Sequence, residues 1–153
     1  DDELIFLDNA LRSFADVLHI NPNAEGYGAA GGVGAALISV LGANFVSGAS
    51  LLVESDAFIN ALETADMIIT GEGNTDAQTA CGKLVSAVAQ SAKAKGIKVI
   101  VLSGGLSDGY EKLYDLGVSE FYSISDMGYE LEYCIKNAAD LLTEKTVEIL
   151  KQI

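Results

Sequence analysis

Three charged side chains, those of Glu72, Asp76 and Lys83, are the ones in this sequence whose types and spacing best suit chemistry. They fall in one stretch, residues 67–83, which reads MIITGEGNTDAQTACGK. Carboxylate oxygens are good ligands for Mg²⁺, and an ammonium group binds a phosphate as a point charge. A loop with these three groups can hold a metal cation and a phosphate at once. The alternative interpretation of Lys83 is a solvent-exposed lysine at the start of a helix.

The elements on either side of these residues predict how they are held. Residues 67–70 form a short apolar run, rich in β-branched side chains, that is typical of a strand buried on both faces of a parallel sheet. Gly71 and Gly73 then allow a sharp turn, and Gly82 opens the next helix. In α/β proteins, ligands bind outside the carboxyl ends of the strands, where this loop would lie. We therefore assign Gly71, Glu72 and Gly73 to cofactor binding.

Strand and helix patterns alternate along the chain, which predicts βαβ units and a parallel sheet. Further strands are predicted at 97–103 and 120–125, with helices at 3–18, 28–41, 82–95 and 130–152 and a broken helix at 47–65. Right-handed crossovers bring the loops at 71–76, 104–107 and 125–128 to one edge. The expected fold is a three-layer, Rossmann-like (flavodoxin-like) α/β domain over 1–153. Three strands are few for such a domain, so we expect upstream sequence to complete it.

Composition excludes several classes of function. The net charge of −13 argues against nucleic-acid binding, which needs a basic face to displace counterions. No apolar run approaches the roughly 18 residues of a membrane helix, and the acidic start of the sequence is unlike a signal peptide. We therefore expect no membrane partner and a cytoplasmic location. Cys81 and Cys134 follow no metal-ligand spacing and are expected to be reduced thiols.

A second glycine-rich segment, EGYGAAGGVGAALISVLG, contains a GxGxxG match at residues 26–31. The dinucleotide fingerprint requires a strand before the match, whereas a turn is predicted there. Two other interpretations stay open beside a dinucleotide site. The segment is either a helix packed closely against other backbone, or a backbone wall along a ligand cleft. We keep Gly31 and Gly32 as candidate cofactor-binding residues.

Both glycine-rich segments resemble those of a known family. TGEGNTDAQTACGK resembles the late signature of the bacterial glycerate kinases, in which TGEGR-x-D-x-Q-x-x-x-GK is characteristic. GYGAAGGVGAAL resembles that family's G-x-G-A-A-G-G-x-G-A-A segment, and LGANFVSGASLLVE, IIT and VIVLSGG follow in the family's order. Asn74 departs from the usual Arg, and residues 103–105 read Ser-Gly-Gly in place of Ala-Gly-Ser. The family's front part, with its Asp-Ser-Phe-Lys-Gly motif and Gly-Gly-Ser segment, is not in this sequence.

The resemblance implies ATP-dependent phosphorylation of D-glycerate to a phosphoglycerate, with ATP and Mg²⁺ as cofactors. This chain would be the C-terminal part of the enzyme, inactive without the remainder of the same kinase chain, and a homodimer is left open. The chemistry of the loop is compatible with this reaction, and we expect Asp76 and Lys83 to be catalytic, Glu72 and Asp76 to bind the metal, and Gly104 to contact the cofactor. Asp76 is alternatively the base that takes the hydroxyl proton. The alternatives are a non-catalytic nucleotide- or phosphate-binding module and a dinucleotide-binding domain.

Overall fold

The structure, a computed structural model, describes residues 2–152, and the chain divides into two units. The first unit is Asp1–Ser47 and the second is Gly48–Ile153. All strands of the described residues lie in the second unit. The expectation of one domain over 1–153 stays a prediction.

The first unit is helical. Helix α1 spans Asp2–Val17, and a 3₁₀ turn at Ala29–Gly32 leads into α2, Val33–Leu41. Gly42 adopts a φ of 65° and ends α2, since glycine reaches the left-handed region without steric cost. Residues 18–28 form turns and irregular backbone. The GxGxxG match is thus preceded by a turn, as predicted, and lacks the strand that the dinucleotide fingerprint requires.

Close backbone packing explains two glycines of this unit. A Cβ on Gly34 would overlap the carbonyl oxygen of Gly26, and a Cβ on Gly26 would overlap the ring of Phe45. The space beside Gly31 and Gly32 is open, and their φ values are 68° and 98°. Gly26 also has a positive φ, of 82°, in addition to its lack of space. For Gly31 and Gly32 the backbone conformation, and not the lack of space, favours glycine.

Parallel strands form the centre of the second unit. The strands are β1 (Met67–Thr70), β2 (Asn74–Thr75), β3 (Lys98–Ser103), β4 (Gly105–Leu106) and β5 (Glu120–Ser123). The main sheet has the order β1-β3-β5, and β2 pairs with β4 in a small second sheet. The helices of this unit are α3 (Gly48–Val53), α4 (Asp56–Leu62), α5 (Leu84–Lys93), α6 (Lys112–Leu116), α7 (Leu131–Lys136) and α8 (Ala138–Leu150).

The central strand β3 is buried on both faces because its residues alternate between two helical layers. Val99 and Val101 belong to a core with α5 and α6, whereas Ile100 and Leu102 pack with Ile149 of α8. These side chains are 7% exposed or less. Helices therefore cover both faces of a parallel sheet, which confirms the predicted three-layer, Rossmann-like α/β fold.

Two local predictions were wrong. Strand β1 lies at an edge of the main sheet, and its Ile69 is 38% exposed, so this strand is not buried on both faces. The helix predicted over 130–152 is two helices, α7 and α8. They meet at Asn137, whose φ of −112° and ψ of 20° are not helical. The apolar side chain of Ile135 is consequently exposed and not part of one continuous buried face.

Two glycines at the end of β1 provide a test of this architecture. A Cβ on Gly71 would overlap the carbonyl oxygen of Leu102 in the central strand, whereas the space beside Gly73 is open. We expect Gly71→Ala to lower the free energy of unfolding by about 1–3 kcal/mol, the usual cost of overpacking. Gly73→Ala is the matched control and should stay within about 0.5 kcal/mol of the unmodified protein. Urea unfolding of both variants measures the difference, and equal losses would contradict the close approach of β1 and β3.

Candidate functional site

The loops that follow β1, β3 and β5 meet at the carboxyl edge of the sheet and bond to one another. Gly104 N–H donates to the Glu72 carbonyl oxygen at 3.1 Å, and Gly105 N–H donates to that of Gly73 at 3.1 Å. Ser125 N–H donates to the Gly104 carbonyl oxygen, also at 3.1 Å. The predicted gathering of the loops at 71–76, 104–107 and 125–128 is therefore confirmed.

The predicted cofactor-binding glycines of this edge are of two kinds. Gly71 and Gly104 have no room for a side chain, since a Cβ on Gly104 would overlap the Gly73 carbonyl oxygen. Gly73 itself is exposed and has open space beside it. Packing of the loops alone thus accounts for glycine at 71 and 104. The backbone of Gly71 is exposed as well, so a ligand can approach the loop at both Gly71 and Gly73.

The two carboxylates of the loop are held by bonds from the turn that follows them. Glu72 Oε1 accepts a hydrogen bond from Thr79 Oγ1 at 2.5 Å. Asp76 Oδ1 accepts from the backbone N–H of Gln78 at 2.8 Å and of Thr79 at 3.2 Å. The side chains of Glu72 and Asp76 are 24% and 31% exposed. Both carboxylates are therefore oriented by the protein and still reach solvent.

Lys83 completes the group. Its Nζ lies 4.0 Å from Glu72 Oε2 and 4.0 Å from Asp76 Oδ1, and its side chain is 44% exposed. Lys83 directly precedes α5, with the extended φ and ψ of −72° and 169°. The three residues singled out by their chemistry are thus brought together, with one cation between two anions. At this distance and exposure such pairs contribute little to stability.

Comparison with known proteins identifies the family. The model of the glycerate kinase family matches residues 1–153. The chain belongs to the glycerate kinase family. The resemblance of the two glycine-rich segments is therefore confirmed over the whole sequence.

Curated relatives show how much of a glycerate kinase this chain represents. The glycerate kinases of Halalkalibacterium halodurans and Bacillus subtilis are 35% and 32% identical to it, over 90% and 99% of its length. The glycerate 2-kinase of Escherichia coli is 32% identical over 90% of the chain. These alignments cover 38%, 41% and 37% of the relatives, so the chain spans about two fifths of their length.

Buried hydroxyl groups also hold the loop of this family member, and their roles were not predicted from the sequence. Thr75 Oγ1 and Ser103 Oγ are 2.6 Å apart, and Ser103 Oγ also accepts the Glu72 N–H at 3.3 Å. Thr75 and Thr79 are fully buried and Ser103 is 1% exposed. Thr79 lies in the same polar run as the carboxylates, so its hydroxyl was available as a signal. The contact of Thr75 with Ser103 joins distant parts of the chain, and no local pattern predicts it.

A cleft opens beside the carboxylates. It has a volume of about 560 Å³, and its lining residues are Asp76, Ala77, Gln78, Leu106, Ser107 and Asp108. Asn74, which departs from the family pattern, turns its amide oxygen to the Ser107 hydroxyl, which donates to it at 3.1 Å. The side chain of Asn74 thus joins β2 to Ser107, a lining residue of the cleft that directly follows β4.

The residues present fit a magnesium ion that also binds phosphate. Within residues 2–152, no group of three or more His, Cys, Asp or Glu side chains could hold a metal ion by itself. Mg²⁺ usually takes one or two carboxylates and completes its shell with water and phosphate oxygens. Glu72 and Asp76 are two such carboxylates on either side of a cation. The pair therefore suits Mg²⁺ in company with a nucleotide.

A second charged cluster lies at the amino ends of the strands and is structural. Lys98 Nζ is 2.6 Å from Glu120 Oε1, and the Tyr122 hydroxyl donates to Glu120 Oε2 at 2.8 Å. The bonds from Lys98 and Tyr122 lower the pKa of Glu120, and the bond to Glu120 raises the pKa of Tyr122. Because Lys98 and Glu120 begin β3 and β5, the cluster sits at the opposite edge from the loops. It joins the two strands and is not part of the candidate site.

The first unit has a cavity of its own, of about 490 Å³. Gly31 and Gly32 line it together with the side chain of Arg12, which pairs with Asp8 at 2.8 Å. This placement agrees with the interpretation of the segment as a backbone wall along a cleft, while cofactor binding by Gly31 and Gly32 stays a prediction. None of the helices within residues 2–152 is long and apolar enough to cross a membrane.

Proposed function

We propose that this chain is the C-terminal part of a kinase that transfers a phosphoryl group from ATP to D-glycerate. The observation that carries the proposal is the placement of Lys83 Nζ at 4.0 Å from both Glu72 and Asp76, on a loop at the carboxyl edge of a parallel sheet. This is the edge at which α/β proteins bind their ligands. Membership in the glycerate kinase family supplies the choice of reaction and substrate.

The charges of the loop suit phosphoryl transfer, which depends on positioning and electrostatic stabilisation and needs no covalent step with the protein. Lys83 is half-exposed at the start of α5, so its ammonium can bind an ATP phosphate, helped by the amino end of the helix. Gly73 lets the backbone of the loop approach the same nucleotide. Mg²⁺, held by Glu72 and Asp76, would neutralise charge that develops on the phosphoryl oxygens.

Asp76 has a second role open to it. A base is needed near the glycerate hydroxyl that attacks the phosphoryl group, and the base must be held in one orientation. Two backbone N–H groups fix Asp76 Oδ1, while the carboxylate remains 31% exposed and lines the cleft of about 560 Å³. We therefore assign proton acceptance to Asp76 and metal binding first to Glu72, with Asp76 as a further metal ligand.

The remainder of the kinase chain is the proposed partner of this part. Strand β1 is an edge strand with an exposed Ile69, a position at which a further strand can pair. Helix α1 leaves all of its large apolar side chains exposed, namely Leu4, Ile5, Phe6, Leu7, Leu11, Phe14 and Val17. Apolar surface of this extent usually marks an interaction site. A homodimer and a cytoplasmic location stay predictions.

The enzyme as a whole is tested by its turnover. We expect the full-length kinase to release ADP from ATP and Mg²⁺ only when D-glycerate is present, and the chain 1–153 alone to release little or none. The name of the Escherichia coli relative makes 2-phosphoglycerate the first product to look for. A full-length protein without glycerate-dependent ADP release would overturn the proposed function. A thermal shift with NAD but not with ATP–Mg²⁺ or ADP would favour the dinucleotide alternative.

Lys83→Ala tests the phosphate contact. In the full-length kinase we expect a loss of about 1.5–3 kcal/mol in ATP binding or transition-state stabilisation, as is usual for a charge-assisted hydrogen bond. The melting temperature should barely change, because the exposed pairs of Lys83 are worth no more than about 1 kcal/mol. Lys136→Ala, which removes an exposed lysine of α7, is the matched control. If both variants retain normal kinetics, Lys83 is a surface lysine.

The two carboxylates are separated by a titration of rate against Mg²⁺. Asp76→Asn should lower kcat with little change in nucleotide affinity, because it removes the proton acceptor. Glu72→Gln should raise the Mg²⁺ concentration needed for half-maximal rate, and excess Mg²⁺ should restore part of the activity. The reverse pattern would exchange the two assignments. Rates near normal in both variants, with unchanged metal dependence, would reduce the loop to a structural turn.

A further inference from the structure

Thr79 lies between the two carboxylates and is fully buried. A buried hydroxyl is costly unless it is hydrogen-bonded, so its partners report what the side chain does. Thr79 Oγ1 accepts the backbone N–H of Asp76 at 3.1 Å and donates to Glu72 Oε1 at 2.5 Å. Asp76 Oδ1 lies farther from this hydroxyl, at 3.5 Å. The single hydroxyl proton therefore belongs to the bond with Glu72.

The same residue also contacts the second carboxylate. The backbone N–H of Thr79 donates to Asp76 Oδ1 at 3.2 Å, so one residue bonds to both Glu72 and Asp76. The relative placement of the two carboxylates thus depends on the hydroxyl and the backbone N–H of one residue.

The bond to Glu72 also selects which oxygen faces the cation. Thr79 occupies Oε1, whereas Oε2 is the oxygen that lies 4.0 Å from Lys83 Nζ. The ammonium group of Lys83 shows that a positive charge is already accommodated next to Glu72 Oε2. Because Oε1 is already hydrogen-bonded, the side chain of Glu72 has lost rotational freedom before a cation binds. Binding of a cation therefore does not incur that entropy cost.

We infer that Thr79 is a positioning residue, which holds Glu72 beside Asp76 so that the pair binds a divalent cation with its nucleotide. The inference rests on the proposed function, and it assigns to Thr79 a role that acts through Glu72. Groups that orient metal ligands in this way typically contribute about 10- to 100-fold to metal affinity. A residue that merely stabilises the turn would change the melting temperature and leave metal affinity alone.

The test measures Mn²⁺ binding, as a probe for Mg²⁺, to the full-length kinase in the presence of ADP. Free Mn²⁺ is read from its electron paramagnetic resonance signal, so no turnover is needed. We expect Thr79→Val, which removes the hydroxyl at nearly constant shape, to raise the Mn²⁺ Kd by about 10-fold or more. Thr79→Ser keeps the hydroxyl and should stay within about 3-fold of the unmodified protein, well below the effect of the valine.

Ser123→Ala is the matched control. Ser123 is 1% exposed, and its hydroxyl accepts the N–H of Asp126 at 3.3 Å in the way that Thr79 accepts that of Asp76. Its second partner is the Ser125 hydroxyl, at 2.9 Å, and not a carboxylate. Ser123→Ala should therefore lower the melting temperature without weakening Mn²⁺ binding. Thr79→Cys, with a weak thiol donor, replaces the valine variant if the latter does not fold, and should also weaken binding.

The outcomes separate this inference from the proposed function. If the unmodified kinase binds Mn²⁺ with ADP and Thr79→Val binds it equally well, the role of Thr79 is overturned and the proposed function stands. If Thr79→Ser is as weak as Thr79→Val, the hydroxyl is not the cause and the role is again overturned. If the unmodified kinase does not bind Mn²⁺ with ADP, the proposed metal site is wrong, and this inference is overturned with it.

Discussion

The candidate site depends on the pairing of two loop backbones beyond the end of the main sheet. The N–H groups of Gly104, Gly105 and Ser107 donate to the carbonyl oxygens of the segment that follows β1, at 3.1, 3.1 and 2.9 Å. This pairing continues the parallel arrangement of β1 and β3 into β2 and β4. It demands a very close approach of the chains, which Gly71 and Gly104 permit because they lack Cβ atoms. The loop is therefore held by backbone hydrogen bonds of the kind that hold a β-strand in a sheet.

Backbone N–H and C=O groups of the loops hydrogen-bond to one another. The charged side chains of the loop therefore remain available to bind a ligand. Glu72 and Asp76 each use one carboxylate oxygen within the loop, through bonds from Thr79 and Gln78. Lys83 balances them from the start of α5 and stays partly exposed. The proposed nucleotide with its metal would bring both negative and positive charge, and this group offers the complement of each. Binding of that ligand would exchange one set of ion pairs for another.

The features predicted correctly from the sequence are those that depend on local residue patterns. Each strand of the main sheet was recognised, and the close spacing of Glu72, Asp76 and Lys83 pointed to one loop. The contact of Thr75 with Ser103 was out of reach, because it forms only after β1 and β3 have paired. Strands β2 and β4 are too short to show a period. The edge position of β1 was missed because the order of the strands depends on tertiary pairing. The helix break at Asn137, whose side-chain amide donates to the Tyr133 carbonyl oxygen, was missed although its contact is local.

The hydrogen bonds of the loop show which part of the chain sets the geometry of its charged side chains. The groups that orient Glu72 and Asp76 come from the turn directly after them. The groups that hold the loop come from the neighbouring loops of the same unit. The geometry of the charged group is therefore a local property of this part of the chain. In the proposed kinase, the hydroxyl of glycerate would meet Asp76 at this loop, whereas the carboxylate of glycerate would need a cation, because Glu72 and Asp76 repel it.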